Sequence, residues 1–205
     1  MRKGLLASLL AISLAVIAIS MGAIAAYSQS ATPSSIKSKT ATDITASQIQ
    51  AVLKLDKSDK NADRLVKVVD AGPYNVSMNV QHRIKTQVPD DRGALHTKVT
   101  EIYYVLDGSA TLITGGTMMD PKASVYDPKL ITPDGGNSTG PGFGGKVMKP
   151  YTSRKVGPGD VVIMPAMTIH WFSEIDDHIN YLAFRVDKDH VLPAGYTHPV
   201  LKSTK

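Results

Sequence analysis

Residues 93–108 read GALHTKVTEIYYVLDG, and residues 159–172 read GDVVIMPAMTIHWF. The first stretch contains a run from Val99 to Leu106 that is rich in β-branched and aromatic residues, which is typical of a β-strand. Glu101 lies near the start of this otherwise apolar run, where an unpaired carboxylate would be costly to bury. The second stretch predicts two further strands, one on either side of Pro165.

The rest of the chain, from Arg64 onward, also alternates with a period of two. Turns rich in Gly, Pro and Asp separate the runs, and Asp107-Gly108 is typical of a tight β-hairpin. Only one segment has helical spacing; it starts at Thr45, and Gln48 completes a capping box. The sequence therefore predicts an all-β fold, an antiparallel sandwich or barrel with a short N-terminal helix.

The segment from Tyr74 to Ile84 alternates most regularly and predicts which residues face inward. One of its faces is apolar, and we expect that face to line the interior. Its members are Val76, Met78, Val80 and His82.

Residues 115–150 interrupt this pattern, and residues 135–145 are rich in glycine. Two phosphate-loop patterns match here, but neither lies between a parallel strand and a helix, so we treat both as accidental. The composition favours a surface loop or a lid over the mouth of a barrel, although a mobile segment without a function fits equally well.

The two quoted stretches together resemble the two motifs of the cupin superfamily. The matching residues are His96, Glu101 and Gly108 in the first motif and Gly159, Pro165 and His170 in the second. The resemblance implies a single antiparallel jelly-roll β-barrel over residues 64–187, and it implies a metal site formed by His96, Glu101 and His170. The chain departs from the family pattern at four positions: Val88 and Met167 replace glycines, Ala94 replaces a first-motif histidine, and Glu174 replaces an asparagine.

Two imidazoles and one carboxylate suit a divalent transition metal, namely Fe, Mn, Ni or Zn. His96 and Glu101 lie five positions apart, so they would face opposite ways in a regular strand; a bulge or loop near residues 97–99 is needed to bring them together. His82 is a candidate fourth ligand, or else a histidine at the rim that is hydrogen-bonded elsewhere.

Two aromatic residues share a strand face with a predicted ligand. Tyr103 shares the face of Glu101 and is the candidate catalytic residue, because its hydroxyl could reach a substrate; packing alone is the other interpretation. Phe172 shares the face of His170 and is expected to form a wall of a substrate cavity.

The N-terminus has the features of an export signal. Residues 1–26 combine a short basic start, a long apolar run and small residues at its end, which predicts a cleaved signal peptide and a periplasmic or secreted protein. A retained membrane anchor is the alternative. Residues 27–42 then predict a flexible tether, residues 43–63 a helix and linker, and residues 188–205 a C-terminal tail.

The composition narrows the function classes. The chain contains no cysteine, which excludes thiolate metal sites and disulfides. The net charge of +5 falls to +3 once Arg2 and Lys3 are removed with the signal, and no aromatic–basic stripe indicates nucleic-acid binding. A small-molecule partner and no membrane partner after cleavage are expected.

Four functional interpretations remain open, and nucleic-acid binding ranks last. The first is a metal-dependent oxygenase, isomerase or lyase, and the second is a non-catalytic small-molecule-binding cupin. The third is a structural exported protein. A homodimer is expected from the resemblance and from the outward apolar positions Ile102, Tyr104 and Leu106.

Overall fold

Seven β-strands and one α-helix are found in the computed structural model, which describes residues 40–55, 60–85, 91–133 and 135–202. The predicted signal peptide and most of the predicted tether lie outside these ranges. None of the described helices is long and apolar enough to cross a membrane. The elements are α1 (Ala46–Leu53), β1 (Ala62–Asp70), β2 (Asn75–Ile84), β3 (Arg92–His96), β4 (Val99–Ala123), β5 (Gly142–Val156), β6 (Val161–Met164) and β7 (His170–Asp187), with 3₁₀ turns at Pro128–Leu130 and Pro199–Leu201.

All strand pairings are antiparallel, in the order β1-β2-β7-β3-β5-β4-β6. The two longest strands, β4 and β7, also pair with each other, so that the pairings β7–β3–β5–β4–β7 form a closed cycle. This arrangement confirms the predicted all-β fold with a short N-terminal helix.

Strand β4 runs through the Asp107-Gly108 dipeptide, so the predicted hairpin at this position is wrong. Gly108 pairs with Ile179 of β7 at an irregularity in the ladder. Its φ of +74° favours glycine, and a Cβ there would lie 2.0 Å from the carbonyl oxygen of His178. The dipeptide therefore forms a bulge within a long strand, because its neighbours on both sides find partners on β7.

The predicted loop of residues 115–150 is also largely wrong. Strand β4 continues to Ala123 and pairs with β5, which starts at Gly142, so only residues 124–141 connect the two strands. Glycine allows close packing here: a Cβ on Gly145 would lie 2.8 Å from Cγ of Met118. Composition alone therefore misidentified strand glycines as loop residues.

The capping box of α1 forms as predicted, because Thr45 Oγ1 accepts from the backbone N–H of Gln48 at 3.3 Å and Gln48 Oε1 accepts from the backbone N–H of Thr45 at 3.2 Å. The helix buries its apolar face on β1, β2 and β7. This apolar cluster contains Val52, Val66, Met78, Val80 and Leu182.

The predicted inward face of β2 is therefore wrong, because its apolar residues lie beneath α1. The opposite, polar face points inward: Gln81 accepts a hydrogen bond from Tyr181 at 2.8 Å, and Asn79 donates to Asp63 at 2.7 Å. Both residues are buried. An apolar strand face can be buried either in the interior of the sheet or beneath an amphipathic helix. The periodicity of β2 alone therefore could not show which of its faces points inward.

Candidate metal centre

Three strand ends bring the matched motif residues together. His96 ends β3, Glu101 lies near the start of β4, and His170 begins β7. Residues 97 and 98 form a bend between β3 and β4, which confirms the break that the spacing of His96 and Glu101 required. Thr97 fixes the bend, because its backbone N–H and its hydroxyl both donate to the carbonyl oxygen of Pro141, at 2.9 and 3.1 Å.

The three side chains converge on one oxygen of Glu101. Its Oε2 lies 3.4 Å from His96 Nε2 and 3.2 Å from His170 Nε2, and one ligand atom from each residue lies within 4.8 Å of the others. Metal–ligand bonds of about 2.0–2.2 Å place neighbouring ligand atoms about 2.8–3.6 Å apart in octahedral or tetrahedral sites. The two distances from Glu101 Oε2 fall within this range, and the donor set suits a divalent transition ion in its chemistry.

The other carboxylate oxygen of Glu101 is already occupied. Arg185 lies directly opposite Glu101 in the β4–β7 ladder, and its Nε donates to Glu101 Oε1 at 2.7 Å. Arg185 also donates to Ser138 O at 3.3 Å and to Asp63 Oδ2 at 3.2 Å. Only Oε2 is thus directed towards the histidines, so Glu101 would ligate an ion through that oxygen alone.

Arg185 is the site residue that sequence reasoning missed. It is 1% exposed, and the signal was a lone arginine inside the apolar run YLAFRV of β7. A buried arginine needs a carboxylate partner, and Glu101 is the buried carboxylate of the opposite strand. Burial alone would raise the pKa of Glu101, but the Arg185 guanidinium and the two histidines hold that pKa well below its usual range.

The hydrogen bonds of His170 define its tautomer. Its Nδ1 lies 3.0 Å from Thr168 O, and since a carbonyl oxygen only accepts, Nδ1 carries a proton. In the neutral ring, Nε2 would then present a lone pair to the Glu101 carboxylate. A proton or a metal ion between these two atoms removes the repulsion, and the hydrogen bond to Glu101 raises the pKa of His170 despite burial.

His96 is held in the neutral form. Burial lowers its pKa to about 4, although the Glu101 carboxylate acts in the opposite direction. Its Nδ1 is buried and has no hydrogen-bond partner among the described residues. A neutral imidazole is the form that ligates metal ions, so His96 needs no proton loss to bind one near neutral pH.

Tyr103 lies beside the candidate ligands. Its hydroxyl donates to Glu101 Oε2 at 3.3 Å, and its ring packs against Tyr181 with centroids 4.5 Å apart and edge-on to His170 at 6.1 Å. Burial raises the pKa of Tyr103 well above its usual value, so its hydroxyl keeps its proton. Tyr103 therefore acts as a hydrogen-bond donor at this position.

A cavity of about 330 Å³ adjoins the cluster on the side of His170. Tyr103 and Phe172 belong to its wall, as does the exposed Ala94 of β3. Ala94 pairs with His170 across β3 and β7, so both side chains point to the same face. The remaining lining residues are Asn61, Arg83, Arg92, Gly93, Leu112, Trp171, Ile175 and Tyr181.

The structure does not bring His82 to this group. His82 Nδ1 lies 2.7 Å from Asn180 Oδ1, and its ring lies 6.0 Å from that of His178. Strand β2 presents His82 on the same face as the residues beneath α1, away from the inward Gln81 and Arg83. His82 Nε2 is buried without a hydrogen-bond partner among the described residues.

Met167 occupies the turn that leads from β6 into β7. Its φ is +70°, a conformation that favours glycine, and its N–H donates to His96 O at 2.8 Å. The resemblance places a glycine at this position. The turn thus ties β3, through the carbonyl of His96, to the segment that leads into His170.

The two motifs that resemble those of cupins lie on strands of one antiparallel sheet. Among solved structures with similar folds are the EutQ protein of Clostridium difficile (12% identity, 62% of each chain, TM-score 0.33) and a cupin protein from Bacteroides fragilis (15% identity, 60% of this chain and 72% of that chain, TM-score 0.32). Recombinant oxalate oxidase in complex with glycolate is another (16% identity, 65% of this chain and 56% of that chain, TM-score 0.37).

The similar region spans about three fifths of the EutQ protein and just over half of oxalate oxidase. No protein-family model matches the chain, and no curated protein matches it in sequence. At these identities and TM-scores the likenesses carry no information on activity. The site itself must therefore indicate what the protein does.

Proposed function

We propose that this protein is a metal-dependent cupin enzyme that binds a divalent transition ion through His96, Glu101 and His170 and a small molecule in the adjoining cavity. The observation that carries the proposal is the convergence of three ligand atoms within 4.8 Å of one another. Fe, Mn, Ni and Zn all accept this donor set. Oxygenase, isomerase and lyase reactions are the candidate chemistries.

Each residue has a separate part in this proposal. His96 and His170 supply imidazole nitrogens, and Glu101 supplies the oxygen that Arg185 leaves available. The bound ion would act as a Lewis acid on a small molecule in the cavity. Tyr103 donates a hydrogen bond at the boundary between ion and cavity, and Phe172 forms part of the apolar wall that excludes water.

A non-catalytic small-molecule-binding cupin is the second candidate, and the charge balance of the site favours it. The two arginines Arg185 and Arg83 and the two carboxylates of Asp63 and Glu101 sum to zero without an ion. The buried carboxylate of Glu101 therefore has a counter-ion already. The charges of the cluster thus balance without a metal ion, which a metal-free binding role requires.

Metal content tests the first step of the leading proposal, since a binding cupin is expected with or without a metal ion. We expect the purified protein lacking residues 1–26 to take up about one equivalent of Mn, Fe, Ni or Zn, measured by mass spectrometry after dialysis. His170→Ala should abolish most uptake, whereas His178→Ala, on the same strand but half-buried and bound to Asp107 and Asp177, should retain it. Absence of uptake by the wild-type protein would contradict the proposal.

Export and self-association belong to the same proposal. The N-terminal sequence supports a periplasmic or secreted protein. A homodimer is supported by exposed apolar residues on neighbouring strands: Tyr104 of β4 pairs with Val161 of β6, and Ile102 pairs with Ile163. Val161 and Ile163 are 60% and 65% exposed. A second copy of the chain is the partner that would cover this face.

A further inference from the structure

The cavity beside His170 differs in charge from the ion site that it adjoins. Arg83 and Arg92 are among its lining residues, and none of the described residues that line it is an aspartate or a glutamate. Among the described residues around the cavity, the carboxylates of Asp63 and Glu101 balance the charges of Arg83 and Arg185, and Arg92 adds one further positive charge to the lining. A divalent ion at the cluster would add further positive charge, so the cavity attracts anions.

The wall of the cavity is largely aromatic. Tyr103, Phe172 and Tyr181 pack against one another, with ring centroids 4.5–6.5 Å apart. Trp171, Leu112 and Ile175 contribute further apolar surface. The volume of about 330 Å³ lies at the lower end of small-molecule sites, which hold about 300–1,000 Å³. A small ligand with a flat apolar body fits these walls best.

Strand β3 borders both the cavity and the candidate ion site. Arg92, Ala94 and His96 are alternate residues of this strand, so their side chains share one face. Ala94 lies between a cation and a candidate ligand, and it is exposed towards the cavity. Because alanine ends at Cβ, the space beside His170 remains available to an exogenous group.

We propose that the cavity binds a small aromatic carboxylate or a similar organic anion, whose anionic group reaches the ion over Ala94. This inference rests on the proposed function, since it places the ligand beside a bound ion. The anionic group takes the position that a longer side chain at residue 94 would fill. The arginines attract the charge, and the aromatic walls hold the apolar body.

Charge selectivity is tested with three probes of similar shape: benzoate, benzyl alcohol and benzylammonium. Titration calorimetry measures binding, because the ring of Trp171 packs against Tyr151 in a separate apolar cluster with Leu95 and is not a direct reporter of the cavity. In Zn-loaded protein we expect benzoate to bind at least about tenfold more tightly than benzyl alcohol, because hydrogen bonds and ligation to a charged group are stronger. Benzylammonium should bind more weakly than either.

Contact with the ion is tested in Co-loaded protein by visible absorption. Benzoate should perturb the spectrum of the wild-type protein. Ala94→His should remove this perturbation and leave the Co content undiminished, because the imidazole fills the open position. Ala94→Val fills the same space without a ligand atom, so it should also weaken benzoate binding.

Arg92 provides a second variant that does not touch the ion. Arg92→Gln should weaken benzoate binding several-fold and leave benzyl alcohol binding unchanged. Arg154→Gln is the matched control, because Arg154 is exposed on β5 and does not line the cavity. Both variants should take up metal as the wild-type protein does.

The outcomes separate the inference from the proposed function, because metal content is measured on the same samples. Full metal content with equal affinity for the three probes would overturn the inference alone, as would a Co spectrum that benzoate leaves unchanged. Absence of metal would overturn both. Selective benzoate binding with a spectral change that Ala94→His removes would support the inference.

Discussion

Glu101 and Arg185 face each other across β4 and β7, with Arg185 Nε 2.7 Å from Glu101 Oε1 and both side chains almost fully buried. Arg185 therefore determines which oxygen of the Glu101 carboxylate is available to an ion. It holds Oε1 and leaves Oε2 directed towards His96 and His170. The orientation of the candidate ligand depends on an ion pair that lies outside the ligand set.

Removal of the arginine should expose this dependence. Arg185→Ala leaves the charges of Glu101 and Asp63 without their buried partner, and breaking such a pair costs about 3–5 kcal/mol of unfolding free energy. Urea unfolding measures the loss. Addition of Zn or Mn should recover part of it, because an ion can replace the missing cation. Arg154→Ala should change the unfolding free energy by less than about 0.5 kcal/mol.

Acid should remove the stabilisation that Glu101 provides. Its pKa is lower in the folded chain than the usual value of 4.5, so its contribution is full above that value and is lost as the pH falls below it. The slope for one proton is at most about 1.4 kcal/mol per pH unit. We expect the difference in unfolding free energy between wild type and Glu101→Gln to shrink from pH 5 to pH 3. A constant difference would contradict this assignment.

The sequence predicted the features of the fold that depend on local spacing. The motif strands, the capping box at Thr45 and the break at residues 97–98 all follow from periodicity, turn chemistry or strand parity. The resemblance to cupins implied that His96 and Glu101 converge, and strand parity then showed that a break between them is needed.

Long-range pairing could not be predicted in the same way. The Asp107-Gly108 dipeptide is a hairpin signal in isolation, but β7 offers partners on both sides of it, so the strand continues. Likewise, no local signal shows that β2 turns its apolar face to α1. Arg185 was recognisable as unusual within an apolar strand, but its partner became clear only from the register of β4 and β7.

Met167→Gly should stabilise the protein. Met167 has a φ of +70°, and the left-handed conformation costs a non-glycine residue about 1–2 kcal/mol. Glycine removes this cost but adds entropy to the unfolded chain, so we expect a net gain of up to about 1 kcal/mol. Thermal or urea unfolding measures it. Met148→Gly, at an exposed position within β5, should instead be destabilising.

Substitution of an exposed residue on β6 should test self-association. Ile163 is 65% exposed and lies beside Ile102, within the face that we propose to be covered by a second copy. Ile163→Lys places a charge there and should convert a dimer into a monomer in sedimentation at micromolar concentrations. Val125→Lys, at a 90% exposed apolar residue outside the strands, is the control. A monomeric wild-type protein would contradict the homodimer.

Metal affinity should rise with pH through the titration of His170. The hydrogen bond to Glu101 raises the pKa of His170 above 6.5, and a metal ion must displace the proton on Nε2. His96 does not contribute to the pH dependence of the metal affinity above pH 5, since its pKa is about 4. We therefore expect the apparent Kd for Mn or Ni, measured by titration calorimetry, to fall about tenfold per pH unit below the pKa of His170 and to level off above it. The binding enthalpy should also differ between buffers of different ionisation enthalpy. The difference should correspond to the uptake of one proton by the buffer. An affinity that stays constant between pH 5.5 and pH 8 would show that no proton leaves Nε2, and His170 would then not be a ligand.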